Sequence, residues 1–357
     1  MTKNIIIEDG LCLIDGTGPG QYTKIIIETL KNLNYKIEIP RKKLLEKIKN
    51  KNLRRILYLI WLNTFFLIKL IFSKKGSIVI YTNYSIPFIK IKKIIQIPVI
   101  HDLCSYLYPN TMTNIQNFYS IMATNNAIKN GDKIITVSNT VKSEIINKFK
   151  ITDKNVFVVN CSNTIGLNEN INENPSKIFN ELKIQTSKYI LSVSTFNKRK
   201  NLIMLINAFN ILSKNYPNLK LVLVGGNGND GRIKHIQHQN KNIIFTGYIS
   251  DKDLSLLYKN ALIYVFPSLY EGFGIPIIDA QNFGVPVICS NIPIFREIAG
   301  QGAEFFDLNV NSIIEKLEFL IKNEERRKQL TILGKINIDK FKNYIIENQI
   351  KEIINKG

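Results

Sequence analysis

A glycine-rich loop framed by two acids is the part of the sequence that most directly indicates chemistry. The stretch PSLYEGFGIPIIDAQNFGVPV, residues 267–287, follows the apolar run LIYVF. Gly272 and Gly274 let the backbone turn tightly and approach a ligand closely, and the proline that follows is tolerated in the first turn of a helix. Such a loop at a helix N-terminus suits a diphosphate. Glu271 and Asp279 would then face hydroxyl groups, since carboxylates repel phosphate oxygens.

A cluster of cations lies upstream, in VSTFNKRKNL at residues 193–202. The cluster falls between a predicted strand and a predicted helix. Arg199 and Lys200 are suited to stabilising the charge that develops on a departing diphosphate. A lone Lys-Arg-Lys run is more often a solvated loop, so the interpretation depends on the neighbouring motif.

Two further segments lie at the ends of predicted strands. The sequence GTGPGQYT, residues 16–23, follows the first strand and opens a helix, which alone is weak evidence for a phosphate loop. His101-Asp102 ends the strand PVIHD, and a lone histidine there is more often only a hydrogen-bonding residue.

Together these segments resemble the retaining family 4 glycosyltransferases, which have the GT-B fold of two Rossmann-like domains facing a central cleft. The pattern E-G-F-G-x-P-x-x-[ED]-A followed by G-V-P-V carries the resemblance. It implies that Glu271 contacts the hydroxyls of the donor sugar and that Asp279, where most members have Glu, holds the ribose. Backbone groups at Gly272, Phe273 and Gly274 would meet the sugar and the diphosphate.

The resemblance also covers the cationic loop and the histidine. Arg199 and Lys200 align with a basic pair that neutralises the diphosphate, while an Arg found earlier in this loop in some members is replaced by Ser194 or Thr195. His101 aligns with a histidine that contacts the donor sugar near the reacting centre, in the H-D-L segment of bacterial polysaccharide mannosyltransferases.

Two other parts of the site follow from the resemblance. Gly18, Gly20 and Gln21 align with a loop that faces the diphosphate across the cleft, and Tyr248 lies in a segment that resembles the base-contacting one. The D-x-D triplet at residues 251–253 binds a metal in a different transferase fold. Here Ser250 precedes it, so we interpret it as a helix cap of the capping-box type and predict neither a metal nor another cofactor.

Short β-rich runs alternate with helical patterns in two series, which predicts parallel sheets covered by helices. The first series contains predicted strands at 4–7, 37–39, 77–81, 98–101, 133–137 and 156–159. The second contains predicted strands at 189–193, 219–224, 242–245, 262–266 and 285–289. The expected ligand site is therefore at the carboxyl ends of the strands, in the cleft between two doubly wound domains.

The domain organisation follows from this alternation. We predict an N-terminal, acceptor-binding domain at residues 1–160, an Asn-rich linker with a short helix at 161–187, and a C-terminal, nucleotide-sugar-binding domain at 188–335. The resemblance implies that a last helix, about residues 338–356, packs back on the N-terminal domain.

The charge is strongly basic and unevenly distributed. The chain of 357 residues carries 48 Lys and Arg against 28 Asp and Glu, a net charge of +20. Residues 1–160 contain 24 basic and 10 acidic side chains, which favours an anionic partner or, alternatively, only a solvated surface. Four well-separated cysteines and an N-terminus without the pattern of a signal peptide predict a cytoplasmic protein.

Residues 53–72, LRRILYLIWLNTFFLIKLIF, have nearly the length of a membrane span. Their cations and the basic flanks favour one or two helices that lie on an anionic membrane, or an ordinary core helix, over a true span. We predict that the basic apolar segment 41–75 contacts the inner face of a membrane.

These observations predict a retaining, metal-independent hexosyltransferase that uses a nucleoside diphosphate sugar and a glycan or lipid-linked acceptor. The H-D-L and R-K-N patterns favour GDP-mannose, with UDP- and dTDP-sugars left open. Two alternatives stay open: a GT-B epimerase acting on nucleotide sugars, and a basic protein that binds nucleic acid or membrane with a degenerate sugar site. The acids of residues 267–287 disfavour both alternatives, and nucleic acid is not the favoured partner.

Overall fold

The computed structural model describes residues 4–15, 18–40, 42–162, 176–186, 188–236 and 240–355. Some predicted features lie partly outside the described residues: residues 16–17 of the glycine-rich segment, Arg41 of the basic apolar segment, residues 163–175 and 187 of the linker predicted at 161–187, and residues 356–357. By their contacts, the residues divide into two units. The first comprises Met1–Pro109, Thr113–Ser162 and Phe341–Gly357, and the second comprises Asn110–Met112 and Asn163–Lys340.

The first unit is a parallel six-stranded sheet with helices between the strands. The strands lie in the order β2-β1-β3-β4-β5-β6, so the strand order reverses beside β1. The strands are β1 Asn4–Glu8, β2 Lys36–Glu38, β3 Ile78–Tyr81, β4 Ile95–Ile100, β5 Ile134–Thr136 and β6 Val156–Val158. The helices are α1 Cys12–Asp15, α2 Gly18–Asn32, α3 Lys43–Glu46, α4 Lys51–Trp61, α5 Leu67–Phe72, α6 Cys104–Leu107, α7 Asn114–Asn130 and α8 Asn139–Phe149.

The residue types explain this sheet. The central strands are mostly apolar, as expected for parallel strands covered on both faces, and β1, β3 and β4 are nearly fully buried. Ile5 lies opposite Ile78, and Ile78 lies opposite Ile95, so β-branched side chains continue across the sheet.

The apolar segment at residues 53–72 forms one helical stretch in which a π-helical turn, Leu62–Phe66, joins α4 to α5. We call residues 51–72 the surface helix. By length and composition it could cross a membrane, but its inward side chains Tyr58, Leu62, Phe66 and Leu70 are buried in the core of the first unit. The predicted core packing therefore holds for one face, and the opposite face is exposed.

The last helix, α17 at Asn343–Asn355, belongs to the first unit. Its inward isoleucines at 346, 350, 353 and 354 are buried. Asn160 and Gln349 exchange two hydrogen bonds, from the Asn160 amide to Gln349 Oε1 and from Gln349 Nε2 to Asn160 Oδ1, at 3.0 and 2.8 Å. Helix α17 thus joins the end of β6 to the core of the first unit.

The second unit repeats the architecture, with strand order β12-β11-β10-β7-β8-β9 and all pairs parallel. The strands are β7 Tyr189–Val193, β8 Lys220–Val224, β9 Ile243–Gly247, β10 Ile263–Phe266, β11 Val287–Ser290 and β12 Ala303–Phe306. The helices are α9 Ser176–Leu182, α10 Leu202–Leu212, α11 Arg232–Ile236, α12 Asp251–Asn260, α13 Ile275–Asn282, α14 Pro293–Ala299, α15 Val310–Lys322 and α16 Glu324–Asn337.

Strand β12 was not predicted from the sequence, because AEFF is short and only its ends are buried. The other strands lie within three residues of their predicted positions. The strand order of the second unit reverses between β7 and β10, which are neighbours in the sheet although they are far apart in the chain. In open α/β sheets ligands bind at the carboxyl ends of the strands at such a reversal.

Gly225, directly after β8, is fixed by close backbone packing. Its φ is +140°, and a Cβ at this position would lie 2.0 Å from the carbonyl oxygen of Ser194. We expect Gly225→Ala to lower the free energy of unfolding of the second unit by about 3 kcal/mol, because the substitution adds a strained φ and a clash with backbone. Urea unfolding followed by circular dichroism would measure this. Gly231→Ala is the control, since no atom lies within 4 Å of the added Cβ; equal losses in both variants would contradict the packing argument.

Candidate active site

A buried carboxylate bonded to two cations lies at the carboxyl edge of the second sheet. Arg199 Nη1 donates to Glu271 Oε2 at 2.7 Å, and Lys200 Nζ donates to Glu271 Oε1 at 2.5 Å. The Glu271 residue is only 7% exposed, and the side chains of Arg199 and Lys200 are largely buried. We call these three residues the charge trio. Its formal charge is +1.

The sheet topology brings the trio together. Arg199 and Lys200 lie in a 3-10 turn, Lys198–Lys200, after β7, and Glu271 lies in the loop after β10. Because β7 and β10 are parallel neighbours, both loops leave the same edge of the sheet. The Leu269 amide donates to the Arg199 carbonyl at 2.9 Å, and Arg199 Nη1 also donates to the Tyr270 carbonyl at 2.7 Å. The two loops are therefore joined by backbone as well as by charge.

The electrostatics of the trio keep Glu271 ionised. Burial alone would raise the pKa of its carboxyl, but Arg199 and Lys200 more than offset that effect and lower the pKa to about 2. Lys200 Nζ also lies 5.0 Å from the centre of the Phe266 ring, which adds a cation–π contact. The cations are thus held in place before any ligand arrives.

The glycine-rich loop leads from Glu271 into α13. Gly274 has a φ of +125°, which favours glycine, and an added Cβ would lie 3.3 Å from the ring of Phe295. Gly272 and Phe273 are buried in this loop, and Asp279 is buried on α13, eight residues beyond Glu271 in the chain. The loop therefore carries backbone groups directly after Glu271, and the helix that it opens carries a second buried acid.

A neighbouring loop was not identified from the sequence. Residues 225–229, GGNGN, follow β8, the strand next to β7, and their backbone packs directly on Ser194 and Phe196. Asn197 and Asn229 hold the two loops together, since the Asn229 amide donates to Asn197 Oδ1 at 3.0 Å and the Lys198 amide donates to Asn229 Oδ1 at 3.0 Å. The sequence feature that could have identified this loop is the pair of glycines directly after the buried strand LVLV.

Tyr248 lies farther along the same edge, after β9. The residue is 81% exposed, and its ring covers Gly226, where a Cβ would lie 2.1 Å from the ring. Tyr248, the predicted base-contacting residue, thus presents an exposed ring at a position two strands from β7. The described contacts do not join it to the trio.

The D-x-D triplet at residues 251–253 lies at a helix cap, as interpreted from the sequence. Ser250 Oγ accepts from the Asp253 amide at 3.1 Å and donates to Asp253 Oδ2 at 2.7 Å. The reciprocal bond therefore runs to the serine hydroxyl, whereas in a capping box the N3 side chain bonds the amide of the cap residue. The triplet therefore forms the first turn of α12.

The remaining predicted site residues lie in the first unit, at the carboxyl edge of its sheet. Gly18 and Gln21 are exposed at the start of α2, whereas Gly20 is buried against Cys12, whose carbonyl oxygen would lie 2.3 Å from an added Cβ. His101 follows β4, beside the end of β3.

His101 is held in one tautomer. Its Nε2 lies 2.8 Å from the Thr82 carbonyl oxygen, which can only accept, so Nε2 carries the hydrogen. The Tyr22 ring packs edge-on at 5.1 Å. Burial lowers the pKa of His101 more than the Thr82 bond and Asp102 raise it. The ring is therefore neutral at pH 7, with Nδ1 as an acceptor.

Comparison with known proteins places the charge trio inside a recognised domain. The family described as glycosyl transferases group 1 matches residues 174–335. The O-antigen chain mannosyltransferase B of Escherichia coli is 28% identical over 269 residues, covering 71% of this chain and 68% of that protein. The O-antigen chain mannosyltransferase RfbU of Salmonella typhimurium is 29% identical over 294 residues, covering 81% of this chain and 73% of that protein.

Among solved structures, the sucrose-phosphate synthase of Thermosynechococcus elongatus is similar with a TM-score of 0.73 and 14% identity. The match covers 99% of this chain and 98% of that chain. At this identity the likeness concerns the fold, and it confirms the predicted GT-B class with its two Rossmann-like domains. The matched family and the two mannosyltransferases support the predicted hexosyltransferase.

The trio predicts a specific acid dependence. The pKa of Glu271 is about 2 in the folded chain against 4.5 for an ordinary glutamate. Its stabilisation is therefore fully present above pH 4.5 and is lost as the pH falls through 2, by about 3 kcal/mol in all. We expect Glu271→Gln to be less stable than wild type at pH 7 and to lose less stability on acidification. Urea unfolding at several pH values would measure both slopes.

Glu318→Gln is the matched control for this prediction. Glu318, which is partly exposed, forms an ion pair at 3.7 Å with the exposed Lys322 on α15, and such surface pairs contribute little. It should follow the wild-type pH dependence. A Glu271→Gln slope equal to that of wild type between pH 4.5 and 2 would contradict the ionised, buried Glu271.

Proposed function

We propose that this chain, a glycosyltransferase with a group 1 domain at residues 174–335, transfers mannose from GDP-mannose to a glycan or lipid-linked acceptor in polysaccharide synthesis. The observation that carries the proposal is the charge trio: two fixed cations and one carboxylate at the strand-order reversal of the second sheet. The names of the two curated relatives favour mannose as the sugar.

The trio suits a nucleoside diphosphate sugar because it offers both kinds of contact at one place. Arg199 and Lys200 would take phosphate oxygens as hydrogen-bond acceptors, and Glu271 would accept from sugar hydroxyls. The cations are already buried and oriented, so little reorganisation is needed when negative charge grows on the leaving diphosphate. We therefore propose a transfer that needs no metal ion, with Arg199 and Lys200 supplying the positive charge.

We propose that the transfer retains the configuration at the sugar carbon. In this step the bond from the anomeric carbon to the phosphate oxygen breaks, and the acceptor oxygen forms a bond on the same face. The acceptor proton goes to the leaving phosphate oxygen, so no group of the protein needs to form a covalent sugar intermediate. Such a transfer needs no carboxylate nucleophile. This agrees with the position of Glu271, whose carboxylate is bonded to two cations.

The other predicted contacts stay proposals. Asp279 would hold the ribose, and the exposed Tyr248 ring would contact the base. His101, as a neutral ring with Nδ1 as an acceptor, would accept from a sugar hydroxyl. The predicted roles of Gly18, Gly20 and Gln21 toward the diphosphate are likewise unchanged.

We further propose that the enzyme is cytoplasmic and binds the inner face of a membrane through the surface helix. Its outward apolar side chains are Leu53, Ile56, Ile60, Phe65, Ile68 and Phe72, all exposed. Their spacings are 3, 4, 5, 3 and 4 residues, and the spacing of 5 falls on the π-helical turn. That turn absorbs one extra residue, so the stripe stays on one side of the helix.

A second segment extends this apolar surface. Phe88 and Ile89 are exposed, and the Phe88 amide donates to Asn63 Oδ1 at the π-helical turn, at 2.9 Å. The surroundings are strongly cationic, since residues 41–93 contain 14 Lys and Arg but only one acid, Glu46. Exposed apolar side chains ringed by cations match an anionic lipid surface.

The sugar specificity can be tested by release of nucleoside diphosphate. We expect the protein to hydrolyse GDP-mannose slowly without acceptor or metal, and to hydrolyse UDP- and dTDP-sugars at least tenfold more slowly. Glu271→Ala should abolish the reaction, because it removes a hydroxyl acceptor and leaves two buried cations unpaired. Glu318→Ala is the control and should retain the wild-type rate.

Each outcome of this experiment has a meaning. Turnover of a different nucleotide sugar would keep the transferase and replace the proposed substrate. Free sugar of inverted configuration would contradict retention, and an isomerised nucleotide sugar would indicate an epimerase. If none of these nucleotide sugars is hydrolysed and no nucleotide binds, the proposed function is overturned.

Membrane binding can be tested with vesicles. We expect the protein to sediment with vesicles that contain phosphatidylglycerol and not with pure phosphatidylcholine, and 0.5 M salt should weaken the binding by screening the cations. The pair Phe65→Ser and Phe72→Ser should weaken binding at least tenfold, because each exposed ring contributes about 1.5–3 kcal/mol when buried in lipid.

The matched control changes two exposed isoleucines of the second unit, Ile332→Ser and Ile336→Ser on α16. These should leave vesicle binding unchanged. Equal binding by the wild type and the Phe65/Phe72 variant would exclude the surface helix as the lipid-binding element.

A further inference from the structure

A lysine is buried between two carboxylates at the end of β1, outside the charge trio and unused by the proposed mechanism. Lys42 Nζ lies 2.6 Å from Glu8 Oε1 and donates to Asp9 Oδ1. All three side chains are less than 9% exposed. A buried ion cluster is costly to desolvate, so its position in the fold needs an explanation.

The carboxylates of this cluster hold the turn that follows β1. Glu8 Oε2 accepts from the Gly10 amide at 2.9 Å, and Asp9 Oδ2 accepts from the Leu13 amide at 3.4 Å. The turn is strained, because Leu11 has a φ of +68° and is not a glycine. Such a conformation persists only where surrounding contacts determine it, and Lys42 neutralises the charges that supply those contacts.

The turn is followed by α1, which packs against α2, the helix that carries the predicted phosphate-facing residues Gly18, Gly20 and Gln21. Cys12 begins α1 immediately after the turn, and its carbonyl oxygen packs against Gly20 of α2. Any shift of residues 9–12 would therefore move the backbone on which Gly20 rests.

The same cluster is joined to the surface helix. Tyr58 Oη donates to Glu8 Oε2 at 2.8 Å, and Lys42 Nζ lies 5.2 Å from the centre of the Trp61 ring. Tyr58 and Trp61 belong to α4, whose opposite face carries the exposed apolar stripe. The cluster thus connects two features that are distant in the chain.

The electrostatics agree with a cluster that depends on its lysine. Burial lowers the pKa of Lys42, but Glu8 and Asp9 raise it further, so the ammonium stays charged. Burial raises the pKa of Glu8, and Lys42 reduces that rise without reversing it. Without the ammonium, two carboxylates would share one buried site.

We propose that Lys42 is a positioning residue, which holds the turn at residues 9–11 against α2 and joins it to the surface helix, and so sets the affinity for the nucleotide sugar. This inference rests on the proposed function for its effect on catalysis, but the effect on the turn is independent of it. Lys42 acts through Glu8 and Asp9 and makes no contact with the substrate.

The test combines kinetics with hydrogen exchange in the full chain. Lys42→Met should raise the KM for GDP-mannose about tenfold and change kcat less than threefold, because the charge trio is untouched. It should also speed amide exchange in the peptide that covers residues 9–15. Tyr58→Phe removes one hydrogen bond to Glu8 and should produce the same changes at a smaller size, about threefold in KM.

Matched controls separate positioning from general loss of stability. Lys133→Met removes an ammonium that bonds the Ile353 carbonyl and lies over the Phe157 ring in the same unit. Tyr106→Phe removes a hydroxyl that bonds the Ile121 carbonyl. Neither should change the KM or the exchange of residues 9–15.

The outcomes distinguish the two proposals. Wild-type protein that turns over no nucleotide sugar would refute the proposed function, and the exchange data would still decide whether Lys42 holds the turn. Unchanged exchange in a folded Lys42→Met variant, or faster exchange with an unchanged KM in an active enzyme, would overturn the inference. If Lys42→Met fails to fold, Tyr58→Phe decides by the same two readouts.

Discussion

The contact of Glu271 with Arg199 and Lys200 is the interaction on which the candidate site depends. A carboxylate with so little exposure is costly to bury unless it is paired, and the repulsion between two neighbouring cations is offset when each of them bonds the same anion. Each member therefore stabilises the placement of the others. The contact also fixes the two loops at the strand-order reversal of the second sheet, where the backbone bond from Leu269 to Arg199 joins them. The sheet topology brings the two loops together, and the opposite charges hold them there.

Much of this could be predicted from the sequence. The apolar strands and the helical patterns between them predict the fold class, and the comparisons confirm it. This prediction is possible because a strand buried on both faces has a simple, mostly apolar pattern. Glu271, Arg199 and Lys200 were predicted as site residues from their motifs, and the structure brings those three together. Their catalytic roles, like those of His101 and Asp279, stay predictions.

The rest depends on contacts between residues far apart in the chain. The Glu8–Lys42 pair joins positions 34 residues apart and Tyr58 lies 50 residues from Glu8, so no local pattern marks the cluster. The loop at residues 225–229 matters because β8 lies beside β7, which only the strand order reveals. Strand β12 is too short and too mixed in character to separate from its neighbours. The π-helical turn is likewise invisible in a sequence that is continuously apolar.

The return of α17 to the first unit has a consequence for biosynthesis. The first unit gains its last packing layer from residues 343–355, which a ribosome makes after all of β7–β12. During synthesis, the second unit can therefore complete its sheet while the first still lacks the isoleucines that cover the end of β6. Domains commonly fold in the order in which they emerge, but here the domain that starts first finishes last. Until then, the apolar surface that α17 covers stays exposed in the nascent chain.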